Sequence, residues 1–291
     1  MATYTVKTGQ NIFDVTLHLY GSIEGLFDLL ISNPELTMVT DLKRGMELEY
    51  HEYFVVNDAM KQEIIANNYL PANSERHVYN KLTNEPLVMI CDLDVIQEDT
   101  RFIASGEGTM YVDWGDNSKL EAIELTATEN TYEHYFDNKA DSRRIKMFGT
   151  FTLIKLDTSE LGGVIYPVRP IVVDEFVNRA NGYSLKGLFL FDGTVTVDLQ
   201  AMNISDLLPI GDMSLQELNL KHVNFTDVSV LDEYLQYIVA NYGSRRDCTV
   251  HLTTEPSSVG MDAINTIINE SSWNESGKWK FIINNQIYTA A

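Results

Sequence analysis

The sequence predicts a multidomain α+β chain, and three observations predict it. The first fifty residues run strand, helix, helix, strand. The middle alternates apolar and polar residues at a period of two. The last part repeats an L-x-x-L-x-L pattern at about thirty-residue spacing. These give a small βααβ domain at 1–53, an ordered connector at 54–85, a β domain at 86–156 and a repeat-built α/β domain at 157–291. A chain of 291 residues can hold two or three such domains with real cores.

The first strand is expected at Tyr4 to Lys7, followed by a tight turn at Gly9. Ile12, Val15 and Leu19 then recur at i, i+3 and i+7, which is one apolar stripe of a helix. Asn11 can cap that helix through its side-chain oxygen, and Gly21 can end it in the left-handed conformation. A second helix carries Leu26, Leu29 and Leu30 as its stripe and stops at Asn33-Pro34, because proline cannot continue it. A closing strand is expected at Met46 to Tyr50.

Tyr4, Val6, Gly9, Ile12-Phe13-Asp14-Val15, Leu19-Tyr20-Gly21, Leu29-Leu30, Asn33-Pro34 and Gly45-x-x-Leu48 carry a likeness. Together this segment, about one sixth of the chain, resembles a LysM domain, and within that group the LysM-like domain of phage tail and baseplate proteins. The resemblance implies a docking module inside a particle. Sugar-binding LysM domains use the groove between the first strand–helix loop and the helix–strand loop. Here that groove would be formed by Gly9, Gln10, Asn11 and Ile12 with Asn33, Pro34 and Leu36. Gln10-Asn11 stand where glycan-binding members usually have Asp-Thr, and Glu49-Tyr50 replace a final Ile-Pro.

His51 to Asn57 has the composition of a strand, and Asp58 to Asn67 follows a helical pattern with Met60, Ile64 and Ile65 on one side. The stretch from Leu70 to Glu75 is a loop by composition, and Arg76 to Lys81 is short and polar-aromatic. Residues 51–85 hold too little apolar material for a core of their own. They are either an ordered connector lying on a neighbour or a plain flexible linker.

From Leu87 strands dominate: 87–96, 102–106, 108–118, 123–127, 131–136 and 143–156. Alternation is clear over Thr109 to Trp114 and over Phe151 to Leu156, as in half-buried antiparallel strands. Gly115-Asp116-Asn117 is turn chemistry. The set Val112-Asp113-Trp114-Gly115-Asp116-x-Ser118, then Tyr132-x-His134-Tyr135, then Gly149-Thr150-Phe151-Thr152 resembles a PKD-type, Ig-like β-sandwich. Asp113, Asp116 and Glu133 could be a metal cluster, but turn and strand roles explain them better, with Trp114 in the core. His134 is expected to hydrogen-bond near the Asp-Trp-Gly-Asp turn rather than to act as a base.

Leu185-x-x-Leu188-x-Leu190 returns as Leu215-x-x-Leu218-x-Leu220, then as Val250-x-Leu252 and Phe281-x-Ile283. Helical stretches lie between them at Val228 to Tyr242 and Met261 to Ile268. The pattern resembles leucine-rich repeats, and implies a short α/β solenoid with strands on one face and helices behind. A generic β-α-β arrangement would carry the same residues. The PKD-like and repeat segments are similar to those of Bacteroidetes surface proteins and their phages.

The chain has 42 acidic and 21 basic residues, a net charge of −21. That argues against nucleic acid and anionic membranes as partners, since phosphate contacts need clustered Lys and Arg. Cys91 and Cys248 have no metal or redox spacing and read as small core residues. The N-terminal stretch carries no signal-peptide pattern, and no run of eighteen apolar residues spans a membrane. No nucleophile elbow, zinc motif, P-loop or dinucleotide fingerprint occurs, and the six histidines show no i, i+3 or i+4 pairing.

The expectation is therefore a non-enzymatic virion structural protein, a tail, baseplate or ring-type adaptor component, with no catalytic residue, metal or cofactor. Its expected partners are other virion proteins, in a homo-oligomeric ring or other symmetric assembly, and its location a particle assembled in a host cytoplasm. The alternative is a binder of peptidoglycan or a related N-acetylglucosamine glycan. A cytoplasmic leucine-rich scaffold is a third reading.

Overall fold

The computed structural model describes residues 1–7, 9–67, 69, 81–93, 97–136, 142–179, 185–241, 247–269 and 279–290. The chain forms two compact units. One holds Met1–Tyr79 with the short segments Asp116–Ser118 and His134–Ala140, and the other holds the rest. Part of the predicted connector, 68 and 70–80, and the end of the predicted 87–96 strand lie outside the described residues. So does Tyr242.

The strand–helix–helix–strand order predicted for 1–53 is the observed order. β1 (Ala2–Thr5) pairs antiparallel with β2 (Glu47–Tyr50), Thr3 opposite Glu49 and Tyr4 opposite Leu48. α1 (Ile12–Tyr20) opens with a capping box. The Asn11 side chain accepts from the Phe13 and Asp14 N–H groups, and the Asp14 carboxylate accepts from the Asn11 N–H. Gly21 ends α1 in the left-handed conformation, φ 69°. A 3₁₀ turn at Ile23–Gly25 runs into α2 (Leu26–Ser32). Val6, Ile12, Val15, Leu19, Tyr20, Leu26, Leu29, Leu36, Leu42 and Leu48 form the core.

Residues 51–57 are not the strand their composition suggests. The Val56 and Asn57 N–H groups both donate to the Tyr20 carbonyl, and Phe54 packs edge-on against the Tyr20 ring. Those two donors cap the end of α1 and are lost to a ladder, and the Phe54 N–H closes a turn on the His51 carbonyl. α3 (Asp58–Ala66) follows as predicted, capped by Asn57 and with no fully buried residue.

The second unit is built on one mixed sheet. Its hydrogen-bonded path runs from the strand Gln286–Thr289 at one end to the strand Val164–Pro167 at the other, with four further strands off that path. β3 (Leu87–Leu93) and β4 (Asp99–Asp113) flank β7 (Arg143–Asp157) antiparallel. β5 (Glu121–Glu124) and β6 (Asn130–Tyr135) pair with β4. β8 (Val164–Pro167) pairs with β3. β4 is a single fifteen-residue strand where the sequence suggested two. It passes a bulge between Ser105 and Gly106, and a Cβ on Gly106 would sit 2.1 Å from the Thr152 carbonyl oxygen. Trp114 and Phe102 are buried under this sheet and in ring contact.

At β7 the pairing changes sense. Residues 143–148 pair antiparallel with β3, and 153–157 pair parallel with β9 (Ile171–Val177). From β9 the sheet continues in parallel through β11 (Thr196–Asp198), β13 (Glu217–Leu220), β15 (Thr249–Leu252) and β16 (Lys280–Ile283). β17 (Gln286–Thr289) turns back antiparallel. α4 (Ser229–Ala240) follows β13 and α5 (Ser258–Asn269) follows β15, close to the predicted spans. The short pair β12 (Asn203–Ile204) and β14 (Asn224–Phe225), and β10 (Phe191–Asp192) on β9, complete the strands.

The predicted solenoid is corrected on two counts. The repeat strands are not a separate array but the parallel half of a sheet shared with the antiparallel strands. The first repeat, Leu185 to Leu190, is not a strand. It is a 3₁₀ turn at Leu188–Leu190 entered through Gly187 at φ 89°. The true neighbour of Leu218 is Val197, and the spacing is irregular: Val197, Leu218, Val250 and Phe281 are in register. A helix links β13 to β15 and β15 to β16, whereas β11 reaches β13 through β12 and a 3₁₀ turn at Leu208–Ile210. Unequal connections cannot stack as equal repeats.

Candidate functional site

The predicted groove residues are held on the β1–β2 pair. The Gln10 side chain is 7% exposed. Its Oε1 accepts from the Lys7 N–H at 2.7 Å, and its Nε2 lies 2.9 Å from the Tyr4 hydroxyl. Asn33 is 3% exposed and makes three bonds. Its Nδ2 donates to the carbonyls of Leu29 and Glu49, each at 2.8 Å, and its Oδ1 accepts from the Glu49 N–H at 2.8 Å. Because Tyr4 faces Leu48 and Thr3 faces Glu49, the two loops are anchored at adjacent register positions of one strand pair.

The seven residues therefore divide. Ile12 and Leu36 belong to the core, and Gln10 and Asn33 spend their amides internally. Asn11 is exposed, with its side-chain oxygen committed to the α1 cap. Pro34 is exposed and Gly9 half-buried at φ 76°. What this loop pair offers a ligand is mostly backbone and apolar edge.

Asp28 organises the back of the same unit. Its carboxylate accepts from the Tyr20 hydroxyl at 2.7 Å and from the His51 N–H at 3.2 Å, and lies 2.8 Å from His51 Nδ1. Burial alone would raise its pKa, but the bonds from Tyr20 and His51 outweigh that and hold it below the usual carboxylate value. Burial, then the Asp28 bond, pushes the Tyr20 phenol strongly up. This is a structural clasp across α1, α2 and the loop at 51.

The Asp-Trp-Gly-Asp turn is a second clasp. Trp114 Nε1 donates to Glu121 at 2.7 Å. Asp116 accepts from the Ser118 N–H at 2.9 Å and lies 2.8 Å from His134 Nε2. Burial opposes the charge on Asp116, yet the His134 and Ser118 bonds prevail and drive its pKa far down. Asp113 is held by Lys81 at 2.6 Å. These partners place His134 and both aspartates in turn-holding roles. Among the described residues no group of three His, Cys, Asp or Glu side chains is arranged to hold a metal ion.

Two open cavities lie in the second unit. One, about 250 Å³, is lined by Arg101, Phe102, Asp157, Ser159 and Glu160 among others. Ser159 donates to Asp157 and accepts from the Arg179 N–H, and Arg101 pairs with Glu160. Among the described residues the partners of that hydroxyl are a carboxylate and a backbone N–H, with no imidazole bonded to it. The other, about 340 Å³, lies between the 189–194 and 212–214 segments.

One feature was open to the sequence and not read from it. Ile23, Phe27 and Ile31 are exposed, on the side of the 23–32 helical run away from buried Leu26 and Leu29. A run apolar on both sides is the signal. Compared with known proteins, the chain matches no family model, no curated protein and no solved structure. Among the described residues no helix is long and apolar enough to cross a membrane.

Proposed function

We propose that the chain is a non-enzymatic virion structural protein, a tail, baseplate or ring-type adaptor subunit, that docks on other virion proteins through its LysM-like N-terminal unit. The observation that carries the reading is the pairing of the βααβ order with the fate of its groove. The motif residues that resemble the phage-tail LysM kind lie in, or in the turns between, two strands and two helices in the expected order. The amides that would meet a sugar, Gln10 and Asn33, are used instead to fasten the loops to β1 and β2. A loop pair stiffened from within, with the exposed Phe13 and Ile31 next to it in the chain, suits protein contact better than hydroxyl recognition. In this reading the second unit, of PKD-like and repeat-like sequence, supplies a rigid frame, and copies join in a ring or other symmetric assembly through surfaces of that frame.

The test is composition. Particles purified from a culture that produces the chain should contain it in fixed stoichiometry by mass spectrometry. Recovery only as a free monomer ends the proposal. Retention of the purified chain on peptidoglycan sacculi, with saccharide-induced NMR shifts at Gly9, Asn11 and Pro34, would replace docking by glycan binding.

A further inference from the structure

We propose that the outward face of the 23–32 helical run is the docking surface itself, and that its occupant is an apolar segment of a different protein edged with Lys or Arg. The proposal rests on the docking role above and adds the place and the partner's chemistry. Ile23, Phe27 and Ile31 recur every four residues, so they lie along one side of the run over about 12 Å at the helical rise. They are 59%, 71% and 76% exposed. Leu26 and Leu29 on the other side already supply what the core needs, so folding gives no reason for three large apolar groups in water.

Charge selects the occupant. Between Lys7 and Lys43 the chain carries Asp14, Glu24, Asp28, Glu35 and Asp41 and not one Lys or Arg. Asp28 is spent inside on Tyr20 and His51. Glu24 and Glu35 are exposed, Glu24 one turn before Phe27 and Glu35 just past the helix end. A second copy seated here would set this acidic set against itself, with no basic group in the segment to answer it. A helix or extended segment with an apolar stripe meets the three side chains, and Lys or Arg stems at its edge reach Glu24 and Glu35 while their heads stay wet.

Calorimetric titration of the full chain with three synthetic peptides tests this: an amphipathic Leu/Lys helix, its Leu/Glu counterpart, and a Ser/Lys peptide of equal charge. The Leu/Lys peptide should bind, lose about tenfold or more in affinity in the Phe27→Ser/Ile31→Ser double variant, and weaken as salt is raised. The Ser/Lys peptide should bind far more weakly. Both substituted side chains are exposed, so circular dichroism and the melting temperature of the variant should match the parent. Equal Leu/Lys affinity in parent and variant overturns the proposal, as does equal binding of the Leu/Glu peptide. A concentration-dependent dimer in sedimentation that the double variant abolishes assigns the face to a second copy and also overturns it. Failure here with the chain present in particles removes this surface and leaves the virion role standing.

Discussion

Replacing Asn33 by alanine should unfasten the N-terminal unit. The side chain lies against the edge of β2 that faces away from β1. There its amide does what a neighbouring peptide group would do, donating to the Glu49 carbonyl and accepting from the Glu49 N–H. A third bond, to the Leu29 carbonyl, adds to the one that oxygen already accepts from the Asn33 N–H. Three net hydrogen bonds at about 1 kcal/mol each give about 3 kcal/mol. Water reaching the trimmed site lowers that figure, and an orphaned Glu49 N–H raises it, so the range is about 2–4 kcal/mol. For a unit of this size each kcal/mol moves the melting temperature by about 4–8 °C. The assay is thermal unfolding with amide exchange read at Thr3, Leu48 and Glu49. Asn33→Asp, which keeps one acceptor but sets a carboxylate beside two carbonyls, should cost more than Asn33→Ala. A melting temperature unchanged in both variants, with normal protection at Glu49, would refute the reasoning and free Asn33 for a ligand.

The other predictions concern the clasps and the parallel core. Leu218→Ala, at a fully buried position between Val197 and Val250, should cost about 2–5 kcal/mol. Urea unfolding followed by tryptophan fluorescence checks this, since Trp114 and Trp279 are buried in the same unit, and a midpoint change too small to resolve would count against that core. Asp116 has a folded-state pKa below its unfolded value, so its contribution is complete above about pH 4 and is lost as pH falls further. Asp116→Asn should therefore lower stability at neutral pH but flatten the decline in acid, and an unchanged pH slope would contradict the clasp. Gly21→Ala should destabilise by about 1 kcal/mol or more, because the position has φ 69° and the new Cβ would fall 1.9 Å from the Asn57 carbonyl oxygen. Thermal unfolding reads it, and a neutral result would mean that the α3 start can retreat.

How much was legible follows from what each signal is made of. The caps at Asn11 and Gly21 and the stripes Ile12/Val15/Leu19 and Leu26/Leu29/Leu30 are local, and the structure uses them, with Leu30 only partly buried. The Asp116–His134 contact was legible because turn chemistry at Gly115 to Asn117 limits where the Asp116 carboxylate can go. The His51 to Asn57 strand failed because its last two backbone donors were claimed by the Tyr20 carbonyl, thirty-odd residues earlier in the chain, which periodicity cannot reveal. Leu185 to Leu190 failed for the opposite reason. Its spacing matched Leu215 to Leu220, but Gly187 took a left-handed conformation and turned the segment into a 3₁₀ turn. The continuous sheet was invisible because β7 changes partner sense within a single strand, and no composition shift marks that point. Of the candidate groove, positions could be read but not commitments. Nothing in the letters says that Gln10 and Asn33 spend their amides inward.

The behaviour of β7 has a mechanical consequence. Its first half is laddered to β3, its second half to β9, and β4 runs along its length. Bending the antiparallel side against the parallel side would have to tear bonds from one strand that both sides share. Load entering at β8 would thus travel through the second unit toward β17 without meeting a joint, as it would through a girder.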